Sequence, residues 1–121
     1  MFDTRAKILS SADLLAYAQA HPELTIVAGY FDPMWAPHAS RLKELAGSTK
    51  LLVLVEPKVD ALLSDLARAE LVASFGVVER VAIVSDDPTR EQFGPRVIDE
   101  RYGDEARYQA LASHVRKRNN V

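Results

Sequence analysis

Leu24-Thr25-Ile26-Val27-Ala28-Gly29-Tyr30-Phe31-Asp32-Pro33-Met34-Trp35-Ala36-Pro37-His38-Ala39-Ser40-Arg41-Leu42 is the stretch on which the fold turns. Leu24 to Ala28 is a continuous apolar run, the pattern of a strand buried on both faces. Gly29 to Pro37 holds two prolines and reads as a loop. His38 to Ala46 reads as a short amphipathic helix with Leu42, Leu45 and Ala46 inward, stopped by Gly47. A strand–loop–helix unit of this kind belongs in a parallel sheet.

The flanking sequence repeats the pattern. Upstream, Ser10-Ser11-Ala12-Asp13 opens a helix running to Gln19, with Leu14, Leu15 and Ala18 on one face and Ser10 or Ser11 as N-cap. His21-Pro22 ends it, because proline disfavours helix in the residue before it. Downstream, Leu51 to Val55 is a second all-apolar strand and Asp60 to Phe75 a longer helix. Its apolar positions are Leu62, Leu63, Leu66, Ala69, Leu71 and Val72, and Gly76 is expected as a left-handed C-cap. Val81 to Val84 is a third strand, followed by the turn Ser85-Asp86-Asp87-Pro88. Arg96 to Asp99 reads as an edge strand, and Gly103-Asp104 leads into a last helix ending at Arg116-Lys117-Arg118. Residues 117–121 are expected to fray. The sum is one domain over 1–121, a three-layer Rossmann-like α/β domain with a parallel sheet of four or five strands.

The 121 residues are 48% hydrophobic and 26% charged, ordinary for one globular core. Fifteen Lys and Arg against 17 Asp and Glu leave a net charge of -2, too balanced for general attraction to nucleic acid or anionic membrane. Without cysteine there is no disulfide framework, thiolate metal site or cysteine nucleophile. The first residues carry charges and no apolar run of signal-peptide length, and no stretch reaches a membrane span. A cytoplasmic protein is expected.

In parallel sheets ligands sit beyond the carboxyl ends of the strands, and the first such end is Gly29-Tyr30-Phe31-Asp32. Gly29 lets a ligand approach the backbone. His38 falls where a helix begins and free amides favour an anion such as phosphate. There its imidazole can donate to a phosphate oxygen during phosphoryl or nucleotidyl transfer; its alternative role is a capping or loop histidine.

Gly29, Phe31, Asp32, His38 and Leu42 resemble, at matching spacing, the first motif of the nucleotidyltransferase superfamily of cytidylyltransferases and adenylyltransferases, Gly-x-Phe-Asp-x-x-His-x-Gly-His with a leucine four residues on. The likeness is closest to the nucleotidyltransferase half of the bifunctional ADP-heptose synthases, where a segment like Lys7-Ile8-Leu9-Ser10 and a short helix also precede the first strand. Arg68 to Ala73 with Val78 and Glu79 is similar to the family's Arg-x-x-x-Leu…Val-Asp stretch, with Glu79 replacing Asp. Ser85 to Thr89 resembles its acidic turn. The likeness covers roughly residues 6–90. It implies nucleotide contacts from Gly29, Tyr30, Phe31, Asp32, Trp35 and Arg68, with His38 as the catalytic group.

The departures are specific. Trp35 stands where the family has its first histidine, and Pro37 where it has glycine. Proline removes an amide where the loop should wrap phosphate. The segment between Glu56 and Arg68 is short and lacks the family's lysine-containing loop. The late Thr-x-Lys/Arg type of motif that contacts triphosphate is absent. Deleting one charge-stabilising donor typically costs about 10²–10³ in rate, so several losses leave little transfer.

Three functions stay open. The first is a degenerate nucleotidyltransferase-like domain that binds a nucleotide or phosphorylated sugar with little or no transfer. The second is an active cytidylyl- or adenylyltransferase with an altered site, using magnesium with a nucleotide triphosphate; no other cofactor is implied. The third is a non-catalytic scaffold, filled by Trp35 and Pro37 and compatible with a homodimer. Trp35 can stack on a base or simply pack. Arg68 can contact a nucleotide or be solvated or paired. Arg116 to Arg118 match a helix C-terminus, and Asp86 and Asp87 suit turn caps as well as a metal. His21 and His114 lack partners at metal-ligand spacing.

Overall fold

The computed structural model describes residues 3–84 and 91–101, with positions 103, 106, 109, 110 and 113. After a 3₁₀ turn at Thr4–Lys7 come β1 (Ile8–Leu9), α1 (Ser11–Ala20), β2 (Thr25–Gly29), α2 (Ala36–Ala46), β3 (Leu51–Val55), α3 (Asp65–Ala73) and β4 (Val78–Ile83). A second 3₁₀ turn at Gly94–Arg96 precedes β5 (Val97–Asp99). All strands are parallel, in the order β1-β4-β3-β2-β5. From β2 the chain steps outward to β3 and β4, then returns to lay β5 on the other side of β2. The strand order reverses there, the switch point at which open α/β sheets leave a crevice.

The apolar runs build two cores on opposite faces of the sheet. Val27, Val53 and Val55 meet Leu42 and Ala46 of α2 and Ala69 and Val72 of α3. Ile26, Ala28, Leu52 and Leu54 meet Leu14 and Ala18 of α1. Helices on both faces make three layers. Every residue of β3 is fully buried, which is why it reads as continuous apolar sequence. At about 1.5–3 kcal/mol per fully buried aliphatic side chain, it is a principal source of stability.

Local sequence sets the helix ends. Ser10 caps α1, its hydroxyl accepting the Asp13 N–H. At the other end of α1, Arg96 donates to the carbonyls of Ala18, His21 and Leu24 at 2.6–2.7 Å, tying the end of the helix to the approach to β2. Helix α2 begins two residues before the expected His38, because proline fits a first helical turn, where its missing N–H is not needed. Gly47 closes α2 with φ +56°.

Several expectations are corrected. The helix over Asp60 to Phe75 is confined to Asp65–Ala73, with Ser64 as its cap, since the amides of Leu62 and Leu63 bond a remote carboxylate instead. Leu62, Leu66 and Leu71 are exposed rather than inward. Gly76 is not among the glycines with positive φ, and Ser74, in right-handed conformation, caps α3. Strand β4 starts at Val78 rather than Val81, and the two residues of β1 form a fifth strand.

Gly103, Ala106, Gln109, Ala110 and Ser113 are helical, in the stretch where a last helix is expected. The Ser85 to Pro88 turn, His114 and Arg116 to Arg118 lie outside the described residues. Among the described residues no helix is long and apolar enough to cross a membrane.

Candidate functional site at the carboxyl edge of the sheet

Strand register places the site. Gly29 pairs with Val55, Val55 with Ile83, and Ala28 with Asp99, so the strands end nearly level. The ladder runs one bond further: Glu56 N–H donates to Gly29 O at 2.9 Å and Glu100 N–H to Ala28 O at 2.7 Å. Tyr30, Glu56 and Glu100 therefore follow directly from three neighbouring strands. The buried charged or titratable side chains of the described residues, Asp32, His38, Glu56, Arg68 and Glu100, all come from this edge or from the helices leading away from it.

The loop after β2 is held from within. Phe31 has φ +52°, a strained conformation for an aromatic residue, worth about 1–3 kcal/mol and maintained by its burial in the α2/α3 core. Asp32 is buried, and its carboxylate accepts the N–H groups of Leu62 (2.7 Å) and Leu63 (2.8 Å). The Lys58 ammonium lies 3.4 Å from the same carboxylate and 5.9 Å from the centre of the Tyr30 ring. The short segment after β3 thus does bring a lysine to this edge.

Three amides at the start of α2 bond within the turn. Trp35 N–H donates to His38 Nδ1 at 3.3 Å, while the Trp35 carbonyl accepts His38 N–H (2.9 Å) and Ala39 N–H (3.2 Å). Pro37 has no N–H. Because Nδ1 accepts, the proton of a neutral His38 ring sits on Nε2. The His38 ring lies 6.4 Å from that of Phe31, centre to centre, and is almost wholly buried. Trp35 is half-buried, and its indole N–H has no acceptor among the described residues.

Arg68 arrives from α3, fully buried. Its Nη1 donates to the carbonyls of Tyr30 (2.9 Å) and Glu56 (2.8 Å), and its Nη2 to Asp65. One guanidinium therefore joins the loops after β2 and β3; Arg68 Nε has no acceptor among the described residues. On the β5 side, Arg41 Nε of α2 donates to Glu100 at 2.8 Å, across the switch point, and Arg101 holds Asp99 through two nitrogens. Both guanidiniums are pushed above their ordinary value, Arg41 chiefly by its hydrogen bond to Glu100 and Arg101 by its hydrogen bond to Asp99, with Glu56 and Tyr30 adding to the latter.

The expected nucleotide contacts Gly29, Tyr30, Phe31, Asp32, Trp35 and Arg68, and the expected catalytic His38, all lie at this edge, in different roles. Phe31 packs in the core, Asp32 clamps a loop, Arg68 braces two carbonyls, and His38 and Trp35 form the entrance to α2. Glu79 does not join them: near the start of β4, it accepts from Tyr17 Oη at 2.9 Å and faces Lys50. His21 stacks on Tyr17. Sequence reading passed over Glu56, Lys58, Glu100, Arg41 and Arg101. A usable signal existed for the two glutamates, since each directly follows a strand of a parallel sheet. Among the described residues no group of three or more His, Asp or Glu side chains is placed to hold a metal ion. No protein-family model and no curated protein matches the chain.

Proposed function

We propose that the chain is a nucleotidyltransferase-like domain that binds a nucleotide or a phosphorylated sugar at the β2/β5 crevice, with little or no nucleotidyl transfer. The supporting observation is the turn from Trp35 to Ala39, where a single histidine stands at the helix entrance, the amides of Trp35, His38 and Ala39 bond within the turn, and Pro37 has none. Transfer of a nucleotidyl group rests on several preorganised donors aimed at the phosphates. A site with a single histidine at the helix entrance suits holding a ligand more than stabilising charge in a reaction. Magnesium enters this reading as part of a bound triphosphate, not as a resident ion.

Titration of ATP and of CTP, with and without magnesium, tests it by calorimetry and thermal unfolding. A ligand at one hundred times its Kd stabilises the fold by about 2.7 kcal/mol, which for a chain of this size raises Tm by on the order of 10 °C. Binding without pyrophosphate release is the expected result. Release that disappears in H38A would establish the active enzyme, and no shift with nucleotide or sugar phosphate would leave the scaffold.

A further inference from the structure

Arg5 and Arg101 grip Asp3 and Asp99 side-on, each through both Nε and Nη2. Arg41 differs. It meets Glu100 through Nε alone, its Nη1 only grazes the exposed Glu44 at 3.4 Å, and its Nη2 has no acceptor among the described residues. Its side chain is 38% exposed, whereas that of Glu100 is 10% exposed. Arg41 follows His38 by three positions on α2, so the two lie on neighbouring turns of one helix face. The pair spans from α2 to the residue after β5, directly over the switch point.

Resting on the binding function above, we propose that Arg41 is the residue that recognises the ligand's phosphate, and that Glu100 holds it in place until a phosphate competes for it. A planar guanidinium with an unused donor beside a carboxylate-bound one matches the paired oxygens of a phosphate. The Glu100 carboxylate occupies the position one such oxygen would take. The pair excludes weak anions, and a ligand bearing two or more phosphate charges exchanges one carboxylate contact for two phosphate contacts. A nucleotide and a sugar phosphate share this chemistry, and the length of the phosphate chain separates them.

Pyrophosphate, ATP, CTP and glucose 1-phosphate are titrated calorimetrically into the wild type, R41Q, R41K, E100Q and the surface control K43Q, with folding checked by circular dichroism and melting. In R41Q the affinity for the ligand that binds should fall roughly tenfold or more, the scale of one charge-assisted hydrogen bond. R41K, with the charge but not the fork, should fall in between. E100Q should bind several-fold more tightly, and K43Q as the wild type does. The ligand that responds identifies the source of the phosphate. If ATP or CTP binds the wild type and R41Q equally, this inference fails while the binding function stands. Unchanged or weaker binding in folded E100Q overturns the holding role of Glu100. If wild type and E100Q both ignore all four ligands, both proposals fall. Should R41Q not fold, R41K and E100Q decide the matter.

Discussion

Leu63 donates its backbone N–H to Asp32 Oδ1 at 2.8 Å, across 31 positions of the chain. The bond, with its neighbour from Leu62, ends the helical reading of residues 60–64 and fastens the segment after β3 beneath the loop after β2. The carboxylate expected to contact a nucleotide is thus engaged in joining the two loops of this edge.

Replacing Asp32 should therefore destabilise the fold before it affects any ligand. D32A leaves two amides and the Lys58 ammonium without their buried acceptor, a loss of about 2–4 kcal/mol. D32N keeps one carbonyl oxygen for one of the two amides and should lose about half as much. Urea unfolding of the three proteins measures this, and equal midpoints would show that the clamp contributes nothing.

Arg68 and Asp65 are bonded partners with opposite exposure: the arginine is fully buried and the aspartate side chain 57% exposed. R68M should cost about 2–5 kcal/mol, because the buried carbonyls of Tyr30 and Glu56 lose their charged donor. D65N should cost less, since its amide oxygen still accepts from Arg68, the guanidinium keeps both carbonyls, and the Asp65 side of the pair is open to water. Equal losses in the two variants would place the energy in the ion pair rather than in the bridging of the loops.

One substitution can separate the capping role of His38 from the ligand contact proposed for it. Asparagine carries an acceptor close to the position of Nδ1, so H38N should keep the Trp35 N–H bond and stay within about 1 kcal/mol of the wild type. It removes Nε2, so nucleotide affinity should fall as far in H38N as in H38A. Full affinity in a folded H38N would confine the imidazole to capping α2.

The alkaline limb of the stability curve should carry the signature of Tyr17. Burial, and then its hydrogen bond to Glu79, raise the phenol above its ordinary value. A proton held more tightly in the folded state gives stability that is complete below the unfolded value, near 10, and is lost as pH rises through the folded one. Y17F lacks both this titration and the bond, at a cost of about 1 kcal/mol near neutrality. The gap between wild type and Y17F should narrow above pH about 10. Chemical denaturation at stepped pH reads it, and a gap constant to pH 11 would contradict the shift.

The sequence alone determined the fold class, a parallel α/β sheet with alternating strands and helices, but not the bounds of α3 and β4 or the strand β1. Leu51 to Val55 reads as a doubly covered strand and Ser10 as a helix cap, because apolar period and capping act within a few residues, whereas Pro37, expected in the loop, lies inside the first turn of α2. The sequence also placed the candidate residues Gly29 to Asp32, Trp35 and His38 in and beside the loop after β2. Tertiary structure decided what each polar side chain there does. Asp32 meets Leu63, Arg68 meets Tyr30, and Arg41 meets Glu100 across 31, 38 and 59 positions. A charge is buried only where such a remote partner repays its desolvation, and no local pattern encodes that partner. Which groups brace this edge is therefore settled by strand order and register, which bring the ends of β2, β3 and β5 together.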